Sequence, residues 1–470
     1  MKPSLNLVSA IALAACMGSS LLAQSPQRAR GTPDPRAPAP NAPKVNPDAQ
    51  LMITNLRVVE DPIRTHPRMG HRATWTFKYL IENMAGRQDP SDFVMQWLQQ
   101  WETDVVVNGS VAPARAAIRS LVIEPWLKAS GGRRLDLNKA PFKLLAIVNR
   151  MDLRAHDGEQ VANAGEGRFV FGVLGADGKP LPPLFGDTPG GFMVIFEYGL
   201  VATNMDQLRS WAMGWAEVGK HPIGSQAYNN ALERVTRRFT DRGAAPLKPN
   251  GSSLNQIRTN ELSLSLPWEL REFRIDAVSG QLKQGGVALT PDVLALNGTP
   301  ALADFVNANE AALLSETHTV PAEALAASAL AGPFQLTDFP NSESRTFAVL
   351  DFFPPFFDVP WSAAGIRSND ARHVFALNTC SGCHRSETGT SFLQIAFPMD
   401  HKLPRSLGST AALAGFLTGI DTPDPVEPTT TRSFGDLARR QKDLEELLAS
   451  FGTNGRGPGP RGRHVPNFVH

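Results

Sequence analysis

The chain has 470 residues, of which 42% are hydrophobic and 19% are charged. This length and composition are ordinary for two or three compact domains, so disorder is not expected for most of the chain. The 46 basic and 45 acidic side chains nearly cancel. The overall charge therefore argues against a nucleic acid or another highly charged partner, and partners must be inferred from local sites.

Residues 1–15 have the pattern of a secretory signal peptide, because a short basic start precedes an apolar run that cannot span a bilayer. The run ends in Leu-Ala-Ala-Cys at residues 13–16, which resembles the lipobox of bacterial lipoproteins. The resemblance implies that Cys16 is acylated and becomes the mature N-terminus. An ordinary signal peptide cut after Ala23 is the alternative. Both interpretations predict export to the cell envelope of a bacterium.

The segment that follows is rich in proline and holds almost no large apolar side chain up to residue 50. Such a segment cannot bury enough surface to fold, and it behaves as a semi-stiff tether. We therefore assign residues 16–50 to a lipidated cysteine and its tether. The lipid would anchor the protein to a membrane, as a lipoprotein that faces the periplasm or lies on the outer membrane.

Residues 51–350 predict an α+β domain, because short apolar strands are mixed with capped helices. Apolar or alternating runs bounded by Gly, Pro and Asp predict strands at 142–148, 168–174 and 191–200, with weaker candidates at 51–59 and 261–275. Capping residues and apolar spacing predict helices at 92–101, 205–218 and 226–242.

Several charged residues of this region lie in apolar surroundings. They are Arg150, Asp152, Glu166, Arg168, Glu197, Arg258 and Glu261, with Asn149 and Asn260 beside them. A buried charge must be paired or neutralised. One interpretation is a binding cleft formed by Arg150, Asp152, Glu197 and Arg258. The other is a set of structural ion pairs, which we favour because no nucleophile or metal-binding pair accompanies them. No catalytic residue is assigned, so enzymatic activity stays an open question.

Residues 351–364 contain the sequence DFFPPFFDVPW. Proline blocks both helix and interior strand, so these aromatic side chains are expected to pack as an extended strip. The strip is interpreted either as a junction attached to the preceding domain or as one wall of a cofactor pocket.

The most specific motif is Cys380-Ser381-Gly382-Cys383-His384. It resembles the haem-attachment motif of c-type cytochromes, and the resemblance implies one covalent haem c. Cys380 and Cys383 would form thioethers with the two vinyl groups, and His384 would coordinate the iron. Two residues between the cysteines suit the separation of the vinyl groups, and the next residue can place its imidazole beneath the ring. Attachment of this kind occurs outside the cytoplasm, in agreement with the predicted export.

Other interpretations of the two cysteines remain. A zinc site would need more ligands, yet the chain has only 3 cysteines, one of which is Cys16. A redox-active dithiol is open to any exported Cys-x-x-Cys, but thioredoxin-like motifs lie between a strand and a helix, whereas this one follows a helical run at 369–378. A structural disulfide between Cys380 and Cys383 would close a very short loop and stabilise little.

The cytochrome resemblance implies a small, mainly α-helical domain over residues 365–452. Ser368 is expected to cap the helix at 369–378, and a capping box at Ser433 is expected to open a second helix at 434–451. In that family a proline carbonyl orients the proximal imidazole, and Pro398 has a similar place here. Residues 453–470, rich in Gly, Arg and Pro, are expected to form a mobile tail.

The distal iron ligand is predicted less directly. No methionine follows Met399, whereas monohaem cytochromes usually carry their distal methionine later in the chain. We favour Met399, with His401 as the alternative and an empty position as a third. More remote candidates are His373, His464 and His470.

Two classes of function follow. The first is an exported c-type haem protein that acts in electron transfer or haem-linked redox chemistry at the cell envelope. The second is a non-redox surface lipoprotein, a binding or structural module in which Cys380 and Cys383 form a disulfide. The sequence identifies no redox partner.

Overall fold

The computed structural model describes residues 44–157, 160–182, 191–265, 268–330, 360–390, 392–397 and 411–452. All of them belong to one compact unit. Six predicted site residues lie outside the described residues: Cys16, Pro398, Met399, His401, His464 and His470. The signal peptide, the tail and most of the aromatic strip lie outside them as well, so these expectations stay predictions.

The centre of the fold is one antiparallel sheet of seven strands, in which every strand pairs with its neighbours in sequence. Its strands are β1 (Met52–Ile53), β2 (Phe142–Arg150), β3 (Glu166–Val173), β4 (Phe192–Gly199), β5 (Leu254–Glu261), β6 (Glu272–Ile275) and β7 (Leu282–Gly285). The strands predicted at 142–148, 168–174 and 191–200 correspond to β2, β3 and β4. The weaker candidate at 261–275 is broken into several short strands.

Five further strand pairs lie outside the main sheet. They join Val105–Val107 to Ser110–Ala112, Ala155–Asp157 to Gln160–Asn163, Glu269–Leu270 to Ala329–Leu330, Ile395–Ala396 to Ala412–Leu413, and Ile420–Pro423 to Thr431–Phe434.

Seven helices of eight or more residues surround the sheet in the part of the chain that the structure describes. They are α1 (Phe77–Met84), α2 (Pro90–Gln99), α3 (Met205–Val218), α4 (Gln226–Thr240), α5 (Pro300–Ala308), α6 (Asn369–Asn378) and α7 (Asp436–Gly452). Side-chain oxygens of Asp89, Asn204 and Ser225 cap α2, α3 and α4, as the capping rule requires. None of these helices combines the length and the apolar composition that crossing a membrane would need.

Shorter helical segments connect these elements. The α-helical ones are Pro47–Gln50, Leu56–Val59, Pro62–Thr65, Glu124–Ala129, Val293–Leu296, Glu310–Leu314 and Gly415–Thr418. The first belongs to the segment that the sequence assigns to the tether, yet its Ala49 and Gln50 are buried and Gln50 donates to the Trp215 carbonyl at 3.0 Å.

Successive side chains of a strand point to opposite faces of the sheet. Different parts of the chain cover these two faces. On the face that we call the helix face, Phe169, Phe171 and Phe196 pack with aromatic side chains of α1 and α4. On the opposite face, which we call the C-terminal face, lie Arg168, Val170, Ile195, Glu197 and Arg258, and the segment after residue 360 covers them. The sheet is therefore the middle layer of the molecule.

A glycine in β3 lets the C-terminal segment approach the sheet closely. A Cβ on Gly172 would lie 2.2 Å from the ring of Phe397, a distance that no methyl group tolerates. On the helix face, Gly167 admits the ring of Phe239 in the same way.

The predicted fold, an α+β domain followed by a small, mainly helical cytochrome c-like domain, is wrong. The chain forms a large α+β fold, and α7 buries Leu437, Leu444 and Leu448 in the same core as the sheet and α3. Arg154, which follows β2, also binds Asp443 of α7. Because the apolar face of α7 packs against the sheet layer, the described residues after 360 do not enclose a core of their own.

Candidate functional site

The Cys-x-x-Cys-His motif lies directly after α6, as predicted, and Ser368 caps this helix through its hydroxyl. Residues Gly382–Ser386 form one turn of π-helix. The side chains of Cys380 and Cys383 are fully buried, and the two thiols are not bonded to each other. Turns of π-helix inside helical segments are rare and are often found at functional sites.

Burial keeps both thiols protonated. It raises the pKa of Cys380 to about 11 and lifts the pKa of Cys383 well above its usual range. Redox-active cysteines have the opposite property, a lowered pKa that yields the reactive thiolate at neutral pH. The environment of Cys380 and Cys383 therefore does not suit a thiol–disulfide exchange centre.

The imidazole of His384 is held by a backbone carbonyl. Its Nδ1 lies 2.6 Å from the carbonyl oxygen of Phe392. Since a carbonyl oxygen can only accept, Nδ1 carries the hydrogen and Nε2 carries the lone pair. Burial also lowers the pKa of His384 to about 4, so the ring is neutral at neutral pH. A neutral imidazole with its second nitrogen fixed in this way has the form of a metal-ligating histidine.

The supporting residues of His384 come from β5, from the loop after it and from the segment that follows the motif. Phe392 has a φ of 68°, a strained conformation for a bulky residue, and this directs its carbonyl to the imidazole. Asn260 donates to the same carbonyl at 2.8 Å and accepts from the indole of Trp268 at 2.8 Å. Trp268 in turn packs against the His384 ring, with 5.2 Å between the ring centroids. The cytochrome resemblance implied an orienting role for Pro398, which lies outside the described residues, so that role stays a prediction.

A cavity of about 90 Å³ lies between the C-terminal face of the sheet and the segment that carries the motif. His384, Gln394, Ile395, Leu417 and Arg440 line the cavity on one side. The sheet side and its border are lined by Met52, Val148, Arg150, Arg168, Val170, Met193, Ile195, Glu197, Arg258, Asn260 and Leu270.

The two sequence interpretations of the buried charges turn out to be compatible. Ion pairs form between Arg150 and Asp152 at 2.9 Å, and between Arg258 and Glu197 at 3.1 Å. Arg150, Glu197 and Arg258 also line the cavity, while Asp152 is not among its lining residues. The favoured structural role is therefore accompanied by a position on the wall of the cavity that His384 also lines.

The surroundings of Glu197 and Asp152 shift the pKa values of these two carboxyl groups in opposite directions. Burial raises the pKa of Glu197, even though Arg168 and Arg258 oppose the effect. Burial alone would also raise the pKa of Asp152, but the charges of Arg150, Arg440 and Arg439 outweigh it and hold that pKa below its usual range. The cavity wall thus combines a desolvated carboxyl group with fixed guanidinium groups.

A second cluster of titratable side chains includes His373 of α6 and two carboxylates from later segments. His373, Glu387 and Asp424 place possible ligand atoms within 4.8 Å of one another. Arg372 binds both carboxylates, at 2.6 Å and 3.1 Å, and His373 Nδ1 contacts Glu387 at 2.6 Å. A guanidinium group already fills the position that a cation would need, so we interpret the cluster as an ion-pair network. His373, a remote candidate for the distal ligand, does not line the cavity.

Several residues of the site were not predicted from the sequence. No sequence motif includes Trp268, Arg440 or the two buried methionines, Met52 and Met193. Arg168 is one of the charged residues in apolar surroundings but is not assigned to the predicted cleft; its position in β3 places it on the same face as Val170.

Comparison of the chain with protein-family models, with curated proteins and with solved structures finds no match. The function must therefore be argued from the site itself.

Proposed function

We propose that the protein is an exported c-type haem protein that acts in electron transfer or haem-linked redox chemistry at the cell envelope. One haem would be attached through thioethers to Cys380 and Cys383, with His384 as an iron ligand. The attachment motif is proposed to function within an α+β fold, without a cytochrome c-like domain around it.

The observation that carries the proposal is the state of His384 on the cavity wall. Its Nδ1–H is held by the Phe392 carbonyl, its ring is neutral, and it directly follows Cys383. Iron takes the lone pair of a neutral imidazole, and a hydrogen bond at the second nitrogen fixes the ring and increases its basicity.

The alternatives fit the cysteines less well. The thiols are unbonded and protonated, which disfavours a disulfide staple or a redox dithiol. Within the described ranges, the one group of His, Cys, Asp and Glu side chains at metal-binding distance contains neither cysteine. A zinc site at Cys380 and Cys383 would thus lack further ligands from the part of the chain that the structure describes.

The residues present fit a haem in three respects. The cavity is largely apolar, arginines line it, and the thiols and the imidazole come from one helical segment beside it. When bound, haem supplies one-electron chemistry at iron. The chain positions it, excludes water by burial and holds the proton on His384 Nδ1. For the distal side we retain the prediction of Met399, with His401 as its alternative.

We also propose that Cys16 is acylated and that its lipid anchors the protein to a membrane. The support is the Leu-Ala-Ala-Cys sequence at residues 13–16 and the proline-rich segment after it. Mass spectrometry of the mature N-terminus tests this. An acylated Cys16 is expected, and an unmodified N-terminus after Ala23 would exclude it.

The haem proposal is tested by a pyridine haemochrome assay on full-length protein made in a host with cytochrome c maturation machinery. One haem per chain is expected in the wild type, and none should remain covalently attached in a Cys380→Ala, Cys383→Ala double variant. His384→Ala should retain thioether-bonded haem with altered iron ligation, or lose attachment. A wild-type protein without haem would contradict the proposal.

A further inference from the structure

Arg150 at the end of β2 has a buried nitrogen without a hydrogen-bond partner. Its side chain is fully buried and lines the cavity that His384 lines. Nε and Nη2 donate to Asp152 at 2.9 Å and 3.1 Å, whereas Nη1 has no hydrogen-bond partner among the described residues. A buried, unsatisfied donor on a charged group is costly, and in a native protein it calls for a partner such as a ligand, an ion or an ordered water.

The surroundings of Arg150 are rich in positive charge. Asp152 also accepts from Arg439 of α7 at 2.8 Å, and Asp436 pairs with both Arg439 and Arg440. Three guanidinium groups thus share these two carboxylates. Burial, followed by the charge of Arg150, lowers the pKa of Arg440 to about 10. This end of the cavity therefore favours an added anion over a neutral group.

We infer that Arg150 is an anion-binding residue of the cavity and that its Nη1 donates to a propionate carboxylate of the haem. The inference rests on the proposed function. Haem carries two propionates, and an arginine binds a carboxylate through charge-assisted hydrogen bonds. Such a contact satisfies Nη1, and the added negative charge balances the guanidinium groups around Asp152 and Asp436.

The contact has a consequence for the haem potential that a purely structural role of Arg150 does not have. The Arg150 charge keeps the propionate ionised over the neutral pH range and favours the reduced iron, which carries one positive charge less. Without this charge the midpoint potential falls at neutral pH. The propionate then protonates at higher pH, so the potential becomes more strongly dependent on pH.

The test uses full-length holoprotein and the variants Arg150→Gln and Arg154→Gln. Arg154 is the matched control, because it pairs with Asp443 of α7 but does not line the cavity. Redox titrations from pH 5 to pH 8 should give a lower potential and a steeper pH dependence for Arg150→Gln than for the wild type. Arg154→Gln should follow the wild type. Asp152 keeps Arg439 as a partner in Arg150→Gln, which favours folding of this variant.

Arg150→Lys is the second variant, for use if Arg150→Gln does not retain haem. It keeps the charge but loses the paired donors, so its potential should stay near that of the wild type while the propionate bending band in the resonance Raman spectrum shifts. Titration curves of Arg150→Gln that match those of Arg154→Gln would overturn this inference but not the proposed function. An unshifted propionate band in Arg150→Lys would do the same. A wild-type protein without haem would overturn both this inference and the proposed function.

Discussion

At the residue scale, the site depends on a short chain of hydrogen bonds behind His384. The motif and several of the charged wall residues could be predicted, because Cys-x-x-Cys-His and charges within apolar strands are visible in a sequence. The carbonyl that holds Nδ1 could not, since it is a backbone atom of Phe392 and depends on the unusual φ of that residue. Sequence patterns describe side chains and give little information about such a contact.

Asn260 is expected to be the residue that fixes the Phe392 carbonyl. Asn260→Ala removes a donor to that carbonyl and leaves the buried indole N–H of Trp268 without its acceptor. The free energy of unfolding should fall by about 2 kcal/mol, as measured by urea denaturation. Asn138→Ala, at an exposed position, should change it by less than about 0.5 kcal/mol. Equal effects of the two substitutions would show that the Asn260 contacts do not stabilise the fold.

At the element scale, local signals predicted elements well where capping and periodicity agree. Helix α3 begins and ends at the predicted residues, and Asn204 caps it. The weak strand candidate at 51–59 gives only two strand residues, because Asn55 caps a helical turn directly after them. The start of α7 was predicted at 434, whereas residues Thr431–Phe434 pair as a strand with Ile420–Pro423. Pairing of Thr431–Phe434 with Ile420–Pro423 therefore moved the start of α7 to Asp436.

Close approach of the C-terminal segment to β3 is expected to require Gly172. Gly172→Ala would place a methyl group within the ring of Phe397 and should destabilise the protein by about 2 kcal/mol in urea denaturation. Gly285→Ala in β7 is the control, because nothing lies within 4 Å of its added Cβ. Combining Gly172→Ala with Phe397→Ala should recover part of the loss. Additive effects in the double variant would show that the two residues are not in contact.

Asp424 is expected to make the contact between α6 and the hairpin at 420–434 sensitive to acid. Burial alone would raise its pKa, but the backbone N–H groups of Glu427 and Val426, together with Arg372, lower that pKa to about 2. The folded pKa lies below the ordinary value of 3.8. The stabilising contribution is therefore complete above that value and is lost as the pH falls toward 2.

Asp424→Asn should lower the free energy of unfolding by about 2 kcal/mol at neutral pH, because Arg372 loses a charged acceptor. Urea midpoints measured between pH 4 and pH 2 should then decline less steeply in Asp424→Asn than in the wild type. Parallel declines would mean that Asp424 does not contribute to the acid sensitivity.

At the scale of the whole molecule, the sequence showed which faces of α6 and α7 are apolar but not what those faces contact. A small helical domain satisfied the pattern equally well. In the structure, α6 packs against α5 through Phe375 and Phe305, and α7 packs on the core that includes the sheet. The Cys-x-x-Cys-His motif thus lies between two layers whose residues are up to several hundred positions apart in the chain, and local periodicity cannot predict such a contact.

A fragment of residues 365–470 is therefore not expected to fold alone. Its buried leucines in α7 would lose the partners that the sheet layer and α3 provide. Circular dichroism and urea denaturation of the isolated fragment should show no cooperative unfolding transition. A cooperative transition in the fragment would contradict the shared core and would restore a separate C-terminal domain.

The central claim, a single haem covalently attached at Cys380 and Cys383, is tested most directly by peptide mass spectrometry. The full-length protein is made in a host with cytochrome c maturation machinery, digested with protease, and the peptide that contains residues 380–384 is identified. The account predicts that this peptide, which contains Cys380, Cys383 and His384, carries the added mass of one haem. An unmodified peptide, or one whose two cysteines are joined as a disulfide, would contradict it.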